Sequence, residues 1–405
     1  MGNKVLEGVK VADFGQTVAG GIIGGILASY GADVIRVESR TRVDFVRQSP
    51  PFMEGSAWKG DRSGLWANTG NAGKRSITLN LNHPRGGEIA KRLVAWADVV
   101  IENFAGGRMA KWGLGYEDLK KIKPEIIMLS ASMFGQTGPF FDKKGTGGVL
   151  VSMSGIANLT GYPDGPPMQP SWVYSDFFVP KLAVLAIVAA IDYRCRSGRG
   201  QYLDLSQFEV AMHFMTPVIL ESVVNRREPG RIGNRLTYAA PCGVYRCKGD
   251  LRWCAITVFS DEEWKSLCRV MGKPALAEDH QFATLMGRLE NGDKLDTIIE
   301  EWTINHSPEK VMDLLQNAGV PAGVVQNGED LDQDPQLKSR SYYWELDHPV
   351  FGRYSYSGMP VKLSKTPYEM KRSPCFGEDN EYVYTNLLRV SDEEFIQLLK
   401  EGVFE

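Results

Sequence analysis

The chain opens with an alternation that neither a helical bundle nor an all-β sandwich produces. Val9-Lys10-Val11-Ala12-Asp13-Phe14 is apolar enough to be a strand covered on both faces, and Gly15 begins a turn after it. Residues 19–30 then repeat small and apolar side chains at helical spacing, with Gly31 placed as a C-terminal cap. Residues 34–38 read as a second strand. Parallel neighbours need a long crossover, so this strand, helix and strand predict a parallel sheet with helices across its faces. The pattern continues through a strand at 76–81, an amphipathic helix at 85–96, and strands at 98–102 and 126–130.

Further along, 180–194 reads as a strong helix and 202–205 as a strand. The polar segment 225–234, with two glycines, marks a linker. Strands at 242–247 and 253–257 and helices near 262–271 and 295–302 then describe a smaller α+β unit. A second linker is expected near 326–336, and a helix at 392–401 ends the chain. The expected organisation is a large α/β domain over 1–224, a small α+β domain over 225–330, and a return segment over 331–405 that completes the large domain.

Composition narrows the function. Lys+Arg 46 against Asp+Glu 49 leaves a formal charge of −3, so there is no global basic field for nucleic acid or an acidic membrane, and any anion site is local. The most apolar stretch, 182–191, is too short to span a bilayer and reads as a buried helix. The first residues lack an apolar signal core, which points to the cytoplasm. The six cysteines show no C-x-x-C pair, so they read as reduced thiols rather than zinc ligands. The five histidines are scattered with no nucleophile elbow; His213 reads as a packed core residue and His348 as part of a turn.

Several constellations carry candidate chemistry. The first βα turn has Glu38 about 20 residues on, where a ribose-binding acid would sit in a dinucleotide site. Its glycines, Gly20, Gly21, Gly24 and Gly25, match no G-x-G-x-x-G frame. They fit either close packing of helix on sheet or an anion site. The clusters Arg36 with Arg40, Lys74-Arg75 and Lys143-Lys144 are solvated surface charges or, jointly, a cradle for a multiply phosphorylated ligand. Asp176 lies just ahead of a helix. There it either caps the first turn or serves as a held carboxylate nucleophile, kept ionised by the helix dipole.

The ordered segments GVKVADF, YGADVIRVES, GKRSITLNL, ADVVIENF, GLGYEDLKKIKPEIIMLSASMFGQTGP, SGIANLTGYPDGPP, SGRGQYLDLSQFE, GNRLTYAAPCGVYRCKGD, AGVPAGVV and GED resemble the class III coenzyme A transferases along essentially the whole chain. The resemblance implies a doubly wound, Rossmann-like large domain with a small domain, and two chains interlocked as linked rings. It implies that Asp176 attacks a donor acyl-CoA to give an aspartyl anhydride and then an aspartyl-CoA thioester, from which a carboxylic acid acceptor takes the CoA. Coenzyme A and acyl-CoA are then substrates, with no tightly bound cofactor and no metal. By the same motifs the CoA site should involve the turn Gln16 to Gly20, with Gln16, Val18 and Ala19 foremost, the strand end Glu38 to Arg40, Lys74, Arg75, and Glu102, Asn103 and Phe104.

Departures from the family pattern add detail. Ala105-Gly106-Gly107 stands where Arg-Pro-Gly is common, which gives Arg108 a phosphate contact. Gly145-Thr146-Gly147-Gly148 stands where many members carry Tyr-Asp or His-Asp. An acyl-CoA racemase of this fold needs a His/Asp proton-transfer pair, so that alternative loses support. Phe177-Phe178 after Asp176, with Trp172, Tyr174 and Tyr238, implies an aromatic-lined acceptor pocket. That feature is similar to benzylsuccinate CoA-transferase, whose subunits pair as unlike chains. Expected partners are therefore an acyl-CoA such as succinyl-CoA, a small or aryl-substituted acid, and a second chain forming a homodimer or a heteromer. A non-catalytic subunit of such a heteromer is the remaining alternative.

Overall fold

The computed structural model describes residues 4–52, 70–170 and 174–405. Its centre is a six-stranded sheet: β1 (Lys10–Asp13), β2 (Asp33–Glu38), β3 (Arg75–Thr78), β4 (Val99–Glu102), β5 (Ile127–Ser130) and β6 (Tyr202–Asp204), in the order β3-β2-β1-β4-β5-β6. Every pairing is parallel. Side chains alternate between faces, as a strand requires. Ala12, Ile35, Val100 and Met128 enter one apolar cluster, and Val11, Val34, Val99 and Ile127 enter the other. The first is covered by the helix Gly86–Trp96, through Ile89, Leu93 and Val94, and by Tyr384, Leu398 and Phe404 from the chain's end. The second is covered by Ile23 and Leu27 of the helix Thr17–Ser29 and by Ala183, Ile187 and Ala190 of the helix Tyr174–Ser197. This is the expected α/β architecture.

The glycines of the first helix settle into close packing. A Cβ on Gly24 would meet Asp13 Oδ2 at 2.3 Å, one on Gly25 would meet the Gly70 carbonyl at 2.5 Å, and one on Gly20 would meet Gly15 at 2.8 Å. The closing Gly377-Glu378-Asp379 has an equally structural role. β3 is an edge strand, and the Asp379 and Asn380 side chains accept the Ser76 and Thr78 N–H groups, each at 2.8 Å. This covers an edge that would otherwise recruit another strand.

The chain divides into two compact units. One takes in the chain up to Ile156, Gln169–Arg227 and Leu337–Glu405; the other is Ala157–Met168 with Glu228–Gln336. The smaller unit holds the antiparallel sheet β7 (Cys242–Arg246), β8 (Trp253–Thr257) and β9 (Ala322–Val324), in that order. Ile256, Trp264, Leu267, Leu295, Ile299 and Val311 form its core. It also claims the turn-rich piece 157–168, which sequence reading leaves in the first domain. Gly233 N–H donates to the Gly161 carbonyl at 3.0 Å, and Arg231 Nη1 to the Asn158 carbonyl at 3.1 Å.

Other expectations change. The helix expected from 180 starts at Tyr174 and runs for 24 residues with Pro180 inside it. By length and composition it meets the test for a membrane span, with a mean hydropathy of 1.7 over its most apolar window. Its inner face nevertheless packs on the sheet. The linker expected at 326–336 contains the helix Gly328–Gln333, begun by a reciprocal cap between Asn327 and Asp330. His213 lies exposed on the helix Gln207–Asn225 rather than in the core. His348 ends strand β10 (Tyr343–His348), buried and stacked on Phe351 at 4.7 Å.

Candidate active site

Strand order reverses between β1 and β4, and at such a switch point the loops beyond the carboxyl ends splay apart to leave a crevice. A cavity of about 570 Å³ occupies this position. Gln16, Thr17 and Ala19 line it from the turn after β1, and Asn103, Phe104, Ala105, Gly106 and Arg108 from the loop after β4. The two loops are locked together: the Asn103 side-chain oxygen accepts the Gln16 N–H and its amide donates to the Gln16 carbonyl, both at 2.8 Å. Thr17, at φ +58°, has its N–H held by Asp44 at 2.8 Å. A left-handed threonine is costly, and such strain persists only where its surroundings impose it.

The opposite wall comes from residues 142–147, Leu150, Gln207 and Asp176. Asp176 is in the first turn of the helix Tyr174–Ser197, and it is only 8% exposed. Pro180, four residues on, withholds the N–H that would bond the Asp176 carbonyl in a regular helix. Burial pushes the Asp176 carboxyl up to about 6, with the Ser175 hydroxyl opposing the shift. The helix dipole therefore does not dominate, as sequence reading expects it to; desolvation does. At neutral pH the group is still mostly ionised, and it is a more basic carboxylate than one in water.

Among the lining residues, Arg42, Arg108, Lys111, Lys143 and Lys144 carry positive charge against Asp142 and Asp176. Arg108 is oriented by the Trp112 ring, 4.9 Å below its guanidinium. A smaller compartment of about 100 Å³ shares Gln16, Arg42, Phe104 and Arg108 and adds Phe14, Leu79 and Trp112.

Of the residues expected at the site, Gln16, Thr17, Ala19, Asn103, Phe104, Arg108 and Asp176 meet in one cavity. The others do not line it. Val18 packs against Val46. Glu38 borders the smaller compartment, but its carboxylate is taken by Arg47 at 2.6 Å and by Ser76 at 2.7 Å. Arg40 lies over the Phe376 ring. Lys74 is buried against Asp13 at 2.7 Å and the Gly21 carbonyl at 2.7 Å. Arg75 pairs with Asp33. Of the expected aromatic set, Trp172 lies outside the described residues. Tyr174 packs at a tilt on Phe178, and Phe178 meets Phe214 edge-on, away from the cavity lining. Arg42, Lys111 and Gln207 escaped sequence reading, although Arg42 and Gln207 follow the carboxyl ends of β2 and β6, where a doubly wound sheet gathers ligand residues.

Comparison with known proteins decides the family. The CoA-transferase family III model matches residues 6–380. The chain belongs to CoA-transferase family III. It is 33% identical to succinyl-CoA–D-citramalate CoA-transferase of Chloroflexus aurantiacus, over 98% of each chain. It is 31% identical to the succinyl-CoA–L-malate CoA-transferase beta subunit of the same organism, again over 98% of each. A crystal structure of a CAIB/BAIF family protein from Brucella suis superposes with a TM-score of 0.86 at 33% identity, covering 95% of this chain and all of that one. This CoA-transferase is thus an enzyme that uses CoA thioesters. A polyanionic thioester matches the positive balance of its cavity.

Proposed function

We propose that this CoA-transferase moves CoA from succinyl-CoA to a small dicarboxylic acid through covalent intermediates on Asp176. The donor and the acceptor class follow the activities named for the two Chloroflexus relatives. Among the described residues Phe104 is the aromatic side chain lining the cavity, which favours a small acid over an aryl-substituted one such as benzylsuccinate. The observation that carries the reading is the buried Asp176 carboxylate in the wall of a cation-rich switch-point cavity.

The steps balance without a redox change or an external base. An Asp176 carboxylate oxygen attacks the thioester carbonyl, the C–S bond breaks, and CoA leaves as thiolate. The thiolate attacks the aspartyl carbonyl of the anhydride, forming aspartyl-CoA and releasing the donor carboxylate. The acceptor carboxylate attacks the aspartyl thioester and expels the thiolate again. The thiolate then attacks the acceptor carbonyl of the second anhydride, giving the new acyl-CoA and regenerating the carboxylate. A desolvated carboxylate held in place supplies the nucleophilicity that water would quench. Arg42, Arg108, Lys111 and the pair Lys143-Lys144 would neutralise the CoA phosphates, so that the thioester enters pantetheine-first towards Asp176.

A second chain belongs to this reading, identical or related, as the subunit name of the L-malate relative illustrates. Leu185 is 64% exposed on the helix Tyr174–Ser197, and Leu220, Val223 and Val224 are exposed on the helix Gln207–Asn225. These apolar faces are what an interlocked dimer would cover.

Asp176→Ala tests the chemistry. Turnover should fall about a thousandfold or more, while calorimetry finds CoA affinity nearly unchanged. Mass spectrometry of wild-type digests quenched with thioester present should show an adduct at Asp176, and hydroxylamine should trap it. Normal turnover in the alanine variant would remove Asp176 from the mechanism.

A further inference from the structure

Behind the cavity loop 103–108 runs a polar chain that the transfer chemistry does not use. Glu102 ends β4 and is 2% exposed. Its Oε2 accepts the Phe104 N–H at 2.6 Å, and its Oε1 lies 3.5 Å from the Gln136 side-chain nitrogen. Gln136 in turn accepts the Gly107 N–H at 3.1 Å. The Gln136 N–H donates to Asp204, with the two carboxylate oxygens at 3.0 and 3.1 Å. Both ends of the segment that carries Phe104, Ala105, Gly106 and Arg108 into the cavity are therefore tied to one buried carboxyl. A charged group at the end of a central strand costs more to bury than an apolar one. Beside its contact with the Ser130 hydroxyl of the adjacent strand β5, Glu102 directs its hydrogen bonds to the loop, a use that sheet pairing does not require.

We propose that Glu102 is a positioning residue for the CoA thioester, setting the loop that presents Phe104 and Arg108 through the Phe104 N–H directly and through the Gly107 N–H by way of Gln136. This rests on the reading of the cavity as the CoA site. Glu102 touches no reacting atom, so its influence falls on binding and not on turnover. Burial pushes its carboxyl up to about 7, with the Ser130 hydroxyl and the Phe104 N–H opposing and the Asp204 charge adding to the rise. Tyr202, two residues from Asp204 on β6, is the other titratable neighbour. The ionised carboxylate is the stronger acceptor for N–H groups. The loop is accordingly held best above neutrality, and its grip loosens as pH falls through about 7.

The test is calorimetric titration of CoA into the wild type, Glu102→Ala, Glu102→Gln and Gln136→Ala at about one pH unit either side of neutrality, beside steady-state kinetics. Glu102→Ala and Gln136→Ala should weaken CoA binding about tenfold and raise KM in step, with kcat little changed. Glu102→Gln keeps an acceptor and should recover most of the affinity, with a flatter pH dependence than the wild type. The comparison cancels the titration of the ligand's own phosphate. Wild-type affinity in all three variants, or a fall in kcat at constant KM, would overturn the role. Should Glu102→Ala fail to fold, Glu102→Gln and Gln136→Ala decide. A wild type that binds no CoA sinks the cavity reading itself; a wild type that binds, with unaltered variants, sinks the role of Glu102 alone.

Discussion

Arg36, Arg47 and Lys74 lie buried around the first βα turn, while Arg42, Arg108, Lys111, Lys143 and Lys144 lie in the wall of the cavity beside it. The residue types are the same, and several are close neighbours in sequence. The buried cations are matched within the fold: Arg47 grips Glu38 at 2.6 Å, Arg36 pairs with Asp44, and Lys74 with Asp13 at 2.7 Å. The cavity cations outnumber the acids among them, Asp142 and Asp176. On the proposed reading a phosphorylated ligand would complete the second set, and it has nothing to add to the first. The two are nevertheless linked, because the Asp44 that neutralises Arg36 also holds the N–H of Thr17 in the cavity lining. The buried network shapes the turn, and the exposed set provides the charge.

Lys74→Met is the strongest way to break this contrast. It leaves Asp13 buried without its cation, and losing one partner of a buried pair costs about 3–5 kcal/mol. Denaturant unfolding should show that loss, while CoA affinity of the folded fraction stays near the wild-type value. Wild-type stability with weakened CoA binding would move Lys74 into the ligand site. Acid titration gives a smaller effect. Burial alone would raise Glu38, but Arg47 and Arg36 outweigh it and hold the carboxyl at about 2, below its ordinary 4.5. A depressed folded pKa means that the stabilisation is fully present above about 4.5 and is lost as pH falls towards 2. The loss is about 3 kcal/mol from this group. Glu38→Gln should flatten the stability curve in that window; an unchanged slope would show that Glu38 is not the group responsible.

The contrast also shows which parts of the molecule could be read in advance. The parallel sheet follows from local apolar runs and the crossover between them, so β1, β2 and β4 fall within a residue or so of expectation. Gln16, Asn103 and Asp176 follow from motif order along the chain. Whether a lysine is solvated or buried does not. Lys74 is buried because parallel pairing and helix packing bring Asp13, Gly21 and Asn71 around it from separate segments. No window of sequence contains that constellation. Pro180 conceals the true start of the cavity helix, since a proline more often marks a helix's first turn than its second. The cap at Asn327 and Asp330 was legible, being a polar N-cap with an acid three residues on, but its setting in a polar stretch reads equally as a linker.

The finest test falls on Arg108, the cavity cation with the most defined posture. Its guanidinium rests on Trp112 and borders both the main cavity and the smaller compartment, so it can fork a phosphate where the two meet. Being exposed, it contributes little to stability, and Arg108→Ala should leave the unfolding midpoint unchanged. CoA binding should weaken about tenfold, the scale of one charge-assisted contact. Arg108→Lys keeps the charge but loses the fork and the stacking, and should fall between the two. Affinity in both variants should also respond less to added salt than in the wild type if a phosphate is the partner. Equal affinity for wild type, lysine and alanine by calorimetry would take Arg108 out of the site and leave Arg42, Lys111 and the lysine pair to carry the phosphates.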